Sequence, residues 1–311
     1  MAKVAILGAG FVGTAAAVYL AERNIADIAL IDVVNYGLAA GKALDLSAAA
    51  AVRGFSARVT GTDRIEEAEG ASVVVNTAGI ARKPGMDRMD LLQANAGIAA
   101  NLAEGVARHA PGAVIINVSN PLDVLCYVFL KKTGFPRERV VGMGGVLDST
   151  RFRAFLAETL DCDPQGVSAM VLGGHGDSMV PIVRTATVGG VPAAELLSGE
   201  ELARAVARTR TAGADVLHLL KTGSAFSSTG AAVFEMVEAC LVGRKKLLPA
   251  SAWLEGEYGL EGVYLGVPVM LGQGGVERIV EMELTPEEEA ALRASADEVR
   301  AGIEAVKGII G

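Results

Sequence analysis

The chain has 311 residues, 51% hydrophobic and 21% charged, with a formal net charge of −8. That length suits two domains, and that composition excludes an intrinsically disordered chain. The acidic balance argues against nucleic acid or an anionic membrane as partner, although a local arginine cluster can still receive small anions.

In chain order, an apolar run over 3–8 predicts a buried strand. A helix follows over 11–23, with Val12, Ala15, Ala16, Tyr19 and Leu20 at helical spacing. Further strand runs lie at 27–32, 71–76 and 113–118, and another begins at 140–142. Helical patterns at 38–51, 86–109 and 121–132 separate them. This alternation predicts a doubly wound α/β domain, a Rossmann-type parallel sheet covered on both faces, over residues 1–145. The texture then changes. A helix is predicted over 148–160, with strands at 167–172, 182–188 and around 191, the last two joined by the hairpin pair Gly189-Gly190. Helices follow over 200–221 and 230–242. The stretch 247–269 reads as a meander of short strands punctuated by Gly256, Gly259, Gly262 and Gly266. Thr285 as N-cap, Pro286 at the first helical position and the acids Glu287 and Glu288 open a final helix, with Leu292, Val299, Ile303 and Val306 on one face. These elements predict an α+β second domain, residues 146–311, packed closely on the first because no linker separates them.

Cys126, Cys162 and Cys240 are scattered, without metal-type or redox-type spacing, and read as reduced, buried thiols. No targeting segment is visible, and no apolar run reaches membrane-spanning length. A soluble cytoplasmic protein without a metal is expected.

Two groups of residues carry chemistry. Gly8-Ala-Gly10-Phe11-Val12-Gly13 follows the first strand and opens a helix. In such a loop the first glycine makes the turn, the second admits a pyrophosphate, and the third lets helix and strand pack. Asp32 ends the next strand, placed for ribose hydroxyls, and no arginine follows it to receive a 2′-phosphate. NAD is therefore expected over NADP.

The second group can supply a base and cations for a substrate acid. Of three histidines, His218 lies within a helix and His109 ends one. His175 sits in a Gly-Gly-His-Gly loop directly after a strand, which makes it the candidate base. Asp148 can orient and charge-stabilise such a base. Arg151, three residues on, shares its helix face, a spacing equally typical of an ordinary ion pair. The segment 80–88 carries Arg82, Lys83 and Arg88 beside Pro84-Gly85 and is either a ligand-facing loop or a solvated basic turn. Val118-Ser119-Asn120-Pro121 ends a strand at the sheet edge where such folds bind ligands.

Together these motifs resemble the lactate/malate dehydrogenase family over essentially the whole chain, most closely the malate dehydrogenases whose sequences look like lactate dehydrogenase. The resemblance implies an NAD-dependent exchange of malate and oxaloacetate, with His175 as proton acceptor and Asp148 as its partner. It implies Arg151 on the C1 carboxylate, Arg88 on the C2 oxygen, and Arg82 on the second carboxylate, where lactate dehydrogenases carry glutamine. Asn120 would bind substrate and nicotinamide, with Val118, Ser119 and Asn95 at the cofactor. The segment 80–88 would be the mobile lid. A homo-oligomer, dimer or tetramer, is implied as well. The stretch 224–230 departs from the family pattern, which leaves a contact from Ser224 open. Rival readings are a lactate or other 2-hydroxyacid dehydrogenase, an NAD-dependent glycoside hydrolase, which needs a metal on cysteine and histidine, and a non-catalytic nucleotide-binding module.

Overall fold

The apolar runs of the first half become the parallel strands of one sheet in the computed structural model, which describes residues 1–80 and 88–310, with the side chain of Arg88 outside the described set. Its elements are β1 (Ala2–Leu7), α1 (Phe11–Arg23), β2 (Ala26–Ile31), α2 (Tyr36–Arg53), β3 (Val59–Thr62), β4 (Val73–Asn76), α3 (Arg88–His109), β5 (Val114–Asn117), α4 (Leu122–Thr133) and β6 (Val140–Gly142). All residues of β4 and β5 are buried. Helices cover both faces, so neither face calls for polar alternation. α1, α2 and α8 (Ser227–Val242) lie on one side, and α3, α4 and α9 (Pro286–Ile310) on the other.

The second half adds α5 (Gly144–Leu160), β7 (Val167–Leu172), β8 (Val180–Val188), β9 (Val191–Pro192), α6 (Ala193–Leu196), α7 (Gly199–Leu220), then α8, β10 (Lys246–Glu255), β11 (Glu261–Gly272), β12 (Gly275–Ile279) and finally α9. β7, β8 and β9 form a small antiparallel sheet, and Gly189 and Gly190, both at positive φ, turn its hairpin.

Among the described residues the large sheet has nine strands, in the order β12-β11-β10-β6-β5-β4-β1-β2-β3. Strands β1 to β6 are parallel. The chain reverses its direction of winding between β1 and β4, the crevice where open α/β sheets receive ligands. β10 joins β6 antiparallel through Ser251 and Gly142.

Three elements differ from expectation. The meander at 247–269 is not a run of short strands but two long ones that extend the first sheet. Gly266 lies inside β11 because a Cβ there would stand 2.4 Å from the Gly173 carbonyl oxygen, a close backbone approach rather than a strand end. Helix α5 begins at Gly144, not at residue 148. A Cβ on Gly145 would lie 2.8 Å from the Pro249 carbonyl oxygen, so packing selects the glycine that local propensity disfavours. β3, half polar and at the sheet edge, lies where the apolar pattern predicts no strand.

Candidate active site

The glycine loop leaves β1 at Gly8, whose φ of +94° places it in the region glycine enters without strain. A Cβ on Gly13 would stand 2.1 Å from the Gly8 carbonyl oxygen, so only glycine lets α1 come this close. Gly10 is different, with open space where its Cβ would be. It is the N-cap of α1, no side chain caps that helix, and its first turn carries no acid. The positive end of α1 is thus left for an outside anion, the arrangement a dinucleotide's diphosphate needs. Val12 is half-buried, and Phe11 is exposed, 5.5 Å from Phe226. Asp32, at the end of β2, accepts the Ala9 N–H at 3.1 Å through Oδ2, and the N–H groups of Val34 and Asn35 through Oδ1. Its carboxylate is thereby pinned beside the glycine loop with acceptor capacity to spare.

His175 lies at the end of β7. Its Nδ1 is 2.8 Å from Asp148 Oδ2. With Nδ1–H donating to that carboxylate, the neutral ring presents Nε2 as acceptor. Burial opposes a charge on the imidazole, but the Asp148 carboxylate outweighs it, and the His175 pKa is raised above the ordinary histidine value. Asp148 is itself 1% exposed, inside α5. Arg151 stands one turn along, with Nη1 3.5 Å from Asp148 Oδ1. Among the described residues that is its one polar contact, so most of the guanidinium's donors are unengaged. Burial lowers its pKa, against the pull of Asp148, which is the setting of a cation awaiting an anion. Gly213 on α7 lies against it, since a Cβ there would stand 3.5 Å from Nη1, at ordinary contact distance.

The loop carrying His175 is fixed from several sides. Gly173 exchanges two backbone hydrogen bonds with Gly266 of β11, and Gly174 N–H donates to Ser295 Oγ of α9 at 2.8 Å. His175 N–H donates to Asp123 Oδ2 of α4, also at 2.8 Å. A Cβ on Gly144 would meet His175 Cβ at 2.6 Å, so the start of α5 is shaped around the histidine.

Asn120, exposed, follows β5 and accepts the Leu122 N–H through Oδ1. Val118 is buried, and the Ser119 hydroxyl donates to the Ala78 carbonyl. Asn95 is 3% exposed, and its side chain braces the loops: it accepts the Ile80 N–H and donates to the Ile80 and Asn120 carbonyls. Ser224 Oγ is only 3.4 Å from the neighbouring Ala225 carbonyl, and Phe226 supplies the segment's contact with the glycine loop through Phe11. Arg82, Lys83 and the Arg88 side chain lie outside the described residues. His218 is exposed on α7, and His109 ends α3. Sequence reasoning missed Asp123, Gly144 and Ser295. Asp123 had a signal, a lone acid in an otherwise apolar helix. The other two had none. Among the described residues no cluster of three or more histidines, cysteines or acids is arranged for a metal, and no helix is long and apolar enough to cross a membrane.

Residues 2–142 match the model of the lactate/malate dehydrogenase NAD-binding domain, and residues 145–309 that of the family's α/β C-terminal domain. The chain belongs to the lactate/malate dehydrogenase family. It is 48% identical over 300 residues to a malate dehydrogenase of Methanosarcina barkeri, covering 96% of this chain and 97% of the relative. Among solved structures it resembles a malate dehydrogenase of Cryptosporidium parvum, with a TM-score of 0.96, 36% identity and 99% coverage of both chains. It also resembles a lactate dehydrogenase of the same organism, crystallised with lactic acid and nicotinamide adenine dinucleotide, with a TM-score of 0.93, 40% identity and 97% coverage of both.

Proposed function

We propose that this protein is an NAD-dependent malate dehydrogenase, interconverting (S)-malate and oxaloacetate. The observation that carries the reading is the Asp148–His175 pair at 2.8 Å, with Asp148 buried and the partly engaged Arg151 beside it. A 2-hydroxy acid needs that combination of an oriented base and a cation for its carboxylate. In the oxidative direction the C2 hydroxyl proton passes to His175 Nε2, while Asp148 holds the ring and steadies the imidazolium. Arg151 grips the C1 carboxylate with its planar fork. Arg88 polarises the C2 oxygen, Arg82 pairs the second carboxylate, and Asn120 binds substrate and nicotinamide. NAD, held by the loop Gly8–Gly13 with Asp32 on the ribose and Val118, Ser119 and Asn95 lining its pocket, supplies the two-electron acceptor when bound.

Malate is preferred to lactate because Arg82 is arginine and not glutamine, and because the Methanosarcina relative is named a malate dehydrogenase. The assay is NADH oxidation with oxaloacetate and pyruvate side by side. A higher kcat/KM for oxaloacetate is expected, and a preference for pyruvate would replace this reading with a lactate dehydrogenase.

In the same reading the domains are residues 1–145 for the cofactor and 146–311 for the substrate. The protein is a cytoplasmic homo-oligomer, a dimer or tetramer. Three unpaired cysteines fit a reducing compartment. Leu44 and Val52 on α2 and Leu219 on α7, between 74% and 88% exposed, offer apolar surface for a second copy. Sedimentation of the purified protein tests this, and a monomer would refute it.

A further inference from the structure

Helix α4 is buried along Leu122–Leu130, and one residue in that run is an acid. Asp123 is 5% exposed. Its Oδ2 accepts the His175 N–H at 2.8 Å, and its Oδ1 accepts the Ser251 hydroxyl of β10 at 2.6 Å. Among the described residues no lysine or arginine pairs with it. Neither hydrogen bond requires a charge. An asparagine of the same shape would accept the His175 N–H through its oxygen and donate its amide to the serine oxygen. A buried carboxylate without a cation is costly, so packing explains the shape of Asp123 but not its charge.

The cation within reach is His175 itself, once protonated. Among the described residues the charged and titratable groups facing the imidazole are Asp148 and Arg151 from α5 and Asp123 from α4. α9 and β10 contribute only the neutral hydroxyls of Ser295 and Ser251. Cys126, beside Asp123, is fully buried, and burial pushes its thiol well up, so it stays neutral. Burial also pushes the Asp123 carboxyl above its ordinary value, with Ser251, the His175 N–H and the imidazolium drawing it back.

We propose that Asp123 is a positioning residue for proton transfer at His175: its carboxylate fixes the histidine's backbone, and its buried negative charge joins that of Asp148 in stabilising the imidazolium. This rests on the reading of His175 as proton acceptor. In oxidation the substrate's O–H bond breaks and its proton settles on Nε2, the C2–H bond breaks and its electron pair would leave as hydride to the nicotinamide, which is reduced, and the new positive charge forms on a ring bonded to Asp148 whose backbone N–H is held by Asp123. On reduction the same proton returns to the C2 oxygen.

The test is Asp123→Asn, read in two ways. The first is titration of the His175 ring by NMR in the free protein, its signal identified as the one lost in His175→Asn. The second is the pH profile of kcat/KM. Two unit charges several ångströms apart in a protein interior interact strongly enough to shift a midpoint by on the order of one pH unit. The His175 midpoint and the acidic limb of malate oxidation should both move down by about that amount. A folded Asp123→Asn protein with an unmoved midpoint, whatever its stability or turnover, overturns the proposal. If that variant does not fold, Asp123→Ser, a smaller neutral side chain, takes its place, and the midpoint should fall by a similar amount because the charge is again removed. No movement there overturns the proposal equally. The two readings separate cleanly. A shifted midpoint in a protein without malate turnover sinks the proposed function and leaves the coupling standing, while full turnover without a shift does the reverse.

Discussion

The raised pKa of His175 gives the chemistry a direction in pH. With His175 as the proposed proton acceptor, oxidation of malate consumes a neutral imidazole, so kcat/KM for malate should fall as pH drops through a value above the ordinary 6.5. Reduction of oxaloacetate consumes the imidazolium, so its kcat/KM should be flat below that value and fall above it. Steady-state profiles in both directions check this, and two limbs of the same sign would remove His175 from the proton's path. Replacing the base is more direct. His175→Asn should keep NADH binding, followed by cofactor fluorescence, and lose ~10²–10⁴-fold in kcat both ways. Arg82→Gln tests specificity. In the proposed reading Arg82 pairs a second carboxylate that pyruvate lacks, and breaking one side of a buried pair costs roughly 3–5 kcal/mol. At about 1.4 kcal/mol per decade, the oxaloacetate-to-pyruvate ratio should fall on the order of 10²–10³-fold. Should Lys83→Gln shift that ratio while Arg82→Gln leaves it alone, the loop has been read in the wrong register. At this scale the sequence was informative where residues are scarce. Three histidines leave one in a glycine-flanked loop, whereas Asp148 and Arg151 read by themselves as an ordinary ion pair one helical turn apart and take roles only through the family resemblance. Asp123 escaped notice because its role comes from contacts with residues 52 and 128 positions away. Asn95 shows the converse. A residue singled out for the cofactor has its amide engaged on the Ile80 and Asn120 backbones, holding together the two loops that border the same crevice.

Helices and strands were legible wherever one face or the whole run is apolar, and illegible where a glycine is there for a neighbour. The run Gly144-Gly145 reads as a loop by propensity, yet both residues are the first turn of α5. Each is small because something else presses on it, His175 in one case and the Pro249 carbonyl in the other. Gly266 inside β11 has the same origin, with the Gly173 backbone against it. The short edge strand β3 was missed for lack of any pattern, since its pairing with β2 is by backbone and two of its four residues are threonines. Element geometry and the active site are thus coupled at the start of α5. Gly144→Ala should place a methyl 2.6 Å from His175 Cβ, which the histidine must relieve by moving. Overpacking of this kind typically costs about 1–3 kcal/mol. The expected result is a folded protein of lower thermal midpoint whose kcat falls far more than its affinity for NADH, because the histidine moves and the nucleotide loop does not. Equal losses in both would mean that the strain spreads through the sheet.

Across the whole molecule, the division drawn from texture at residue 145 is not where the hydrophobic core ends. One buried cluster runs from Val4, Leu30 and Ile115 of the parallel strands through Leu254, Val263 and Tyr264 of β10 and β11 to Leu292, Val299 and Ile303 of α9. A second, smaller cluster gathers Phe152, Leu156, Val171, Met179 and Leu202 beneath the three-stranded sheet. The loop carrying His175 sits where the two systems meet, since Gly173 bridges to Gly266 and His175 is tied to α4 and α5. Sequence pattern could announce the antiparallel strands but not which sheet they join, because edge pairing is set by backbone hydrogen bonds that carry no side-chain signature. A physical test of the shared core is available in Trp253, the sole tryptophan. It lies on β10 at the seam, its ring centroid 5.7 Å from Tyr127 of α4 and 5.4 Å from Tyr264 of β11. If the nine strands melt as one unit, loss of Trp253 fluorescence and loss of helical circular dichroism should share a single midpoint in a denaturant titration. Separately unfolding halves would release the tryptophan at a different denaturant concentration from the bulk helix signal. The same continuity predicts that a fragment of residues 1–145 does not stand alone, because removing β10 bares the β6 edge and removing α9 uncovers the apolar face of α4. A soluble, NADH-binding fragment with a cooperative transition of its own would show that the parallel sheet needs neither.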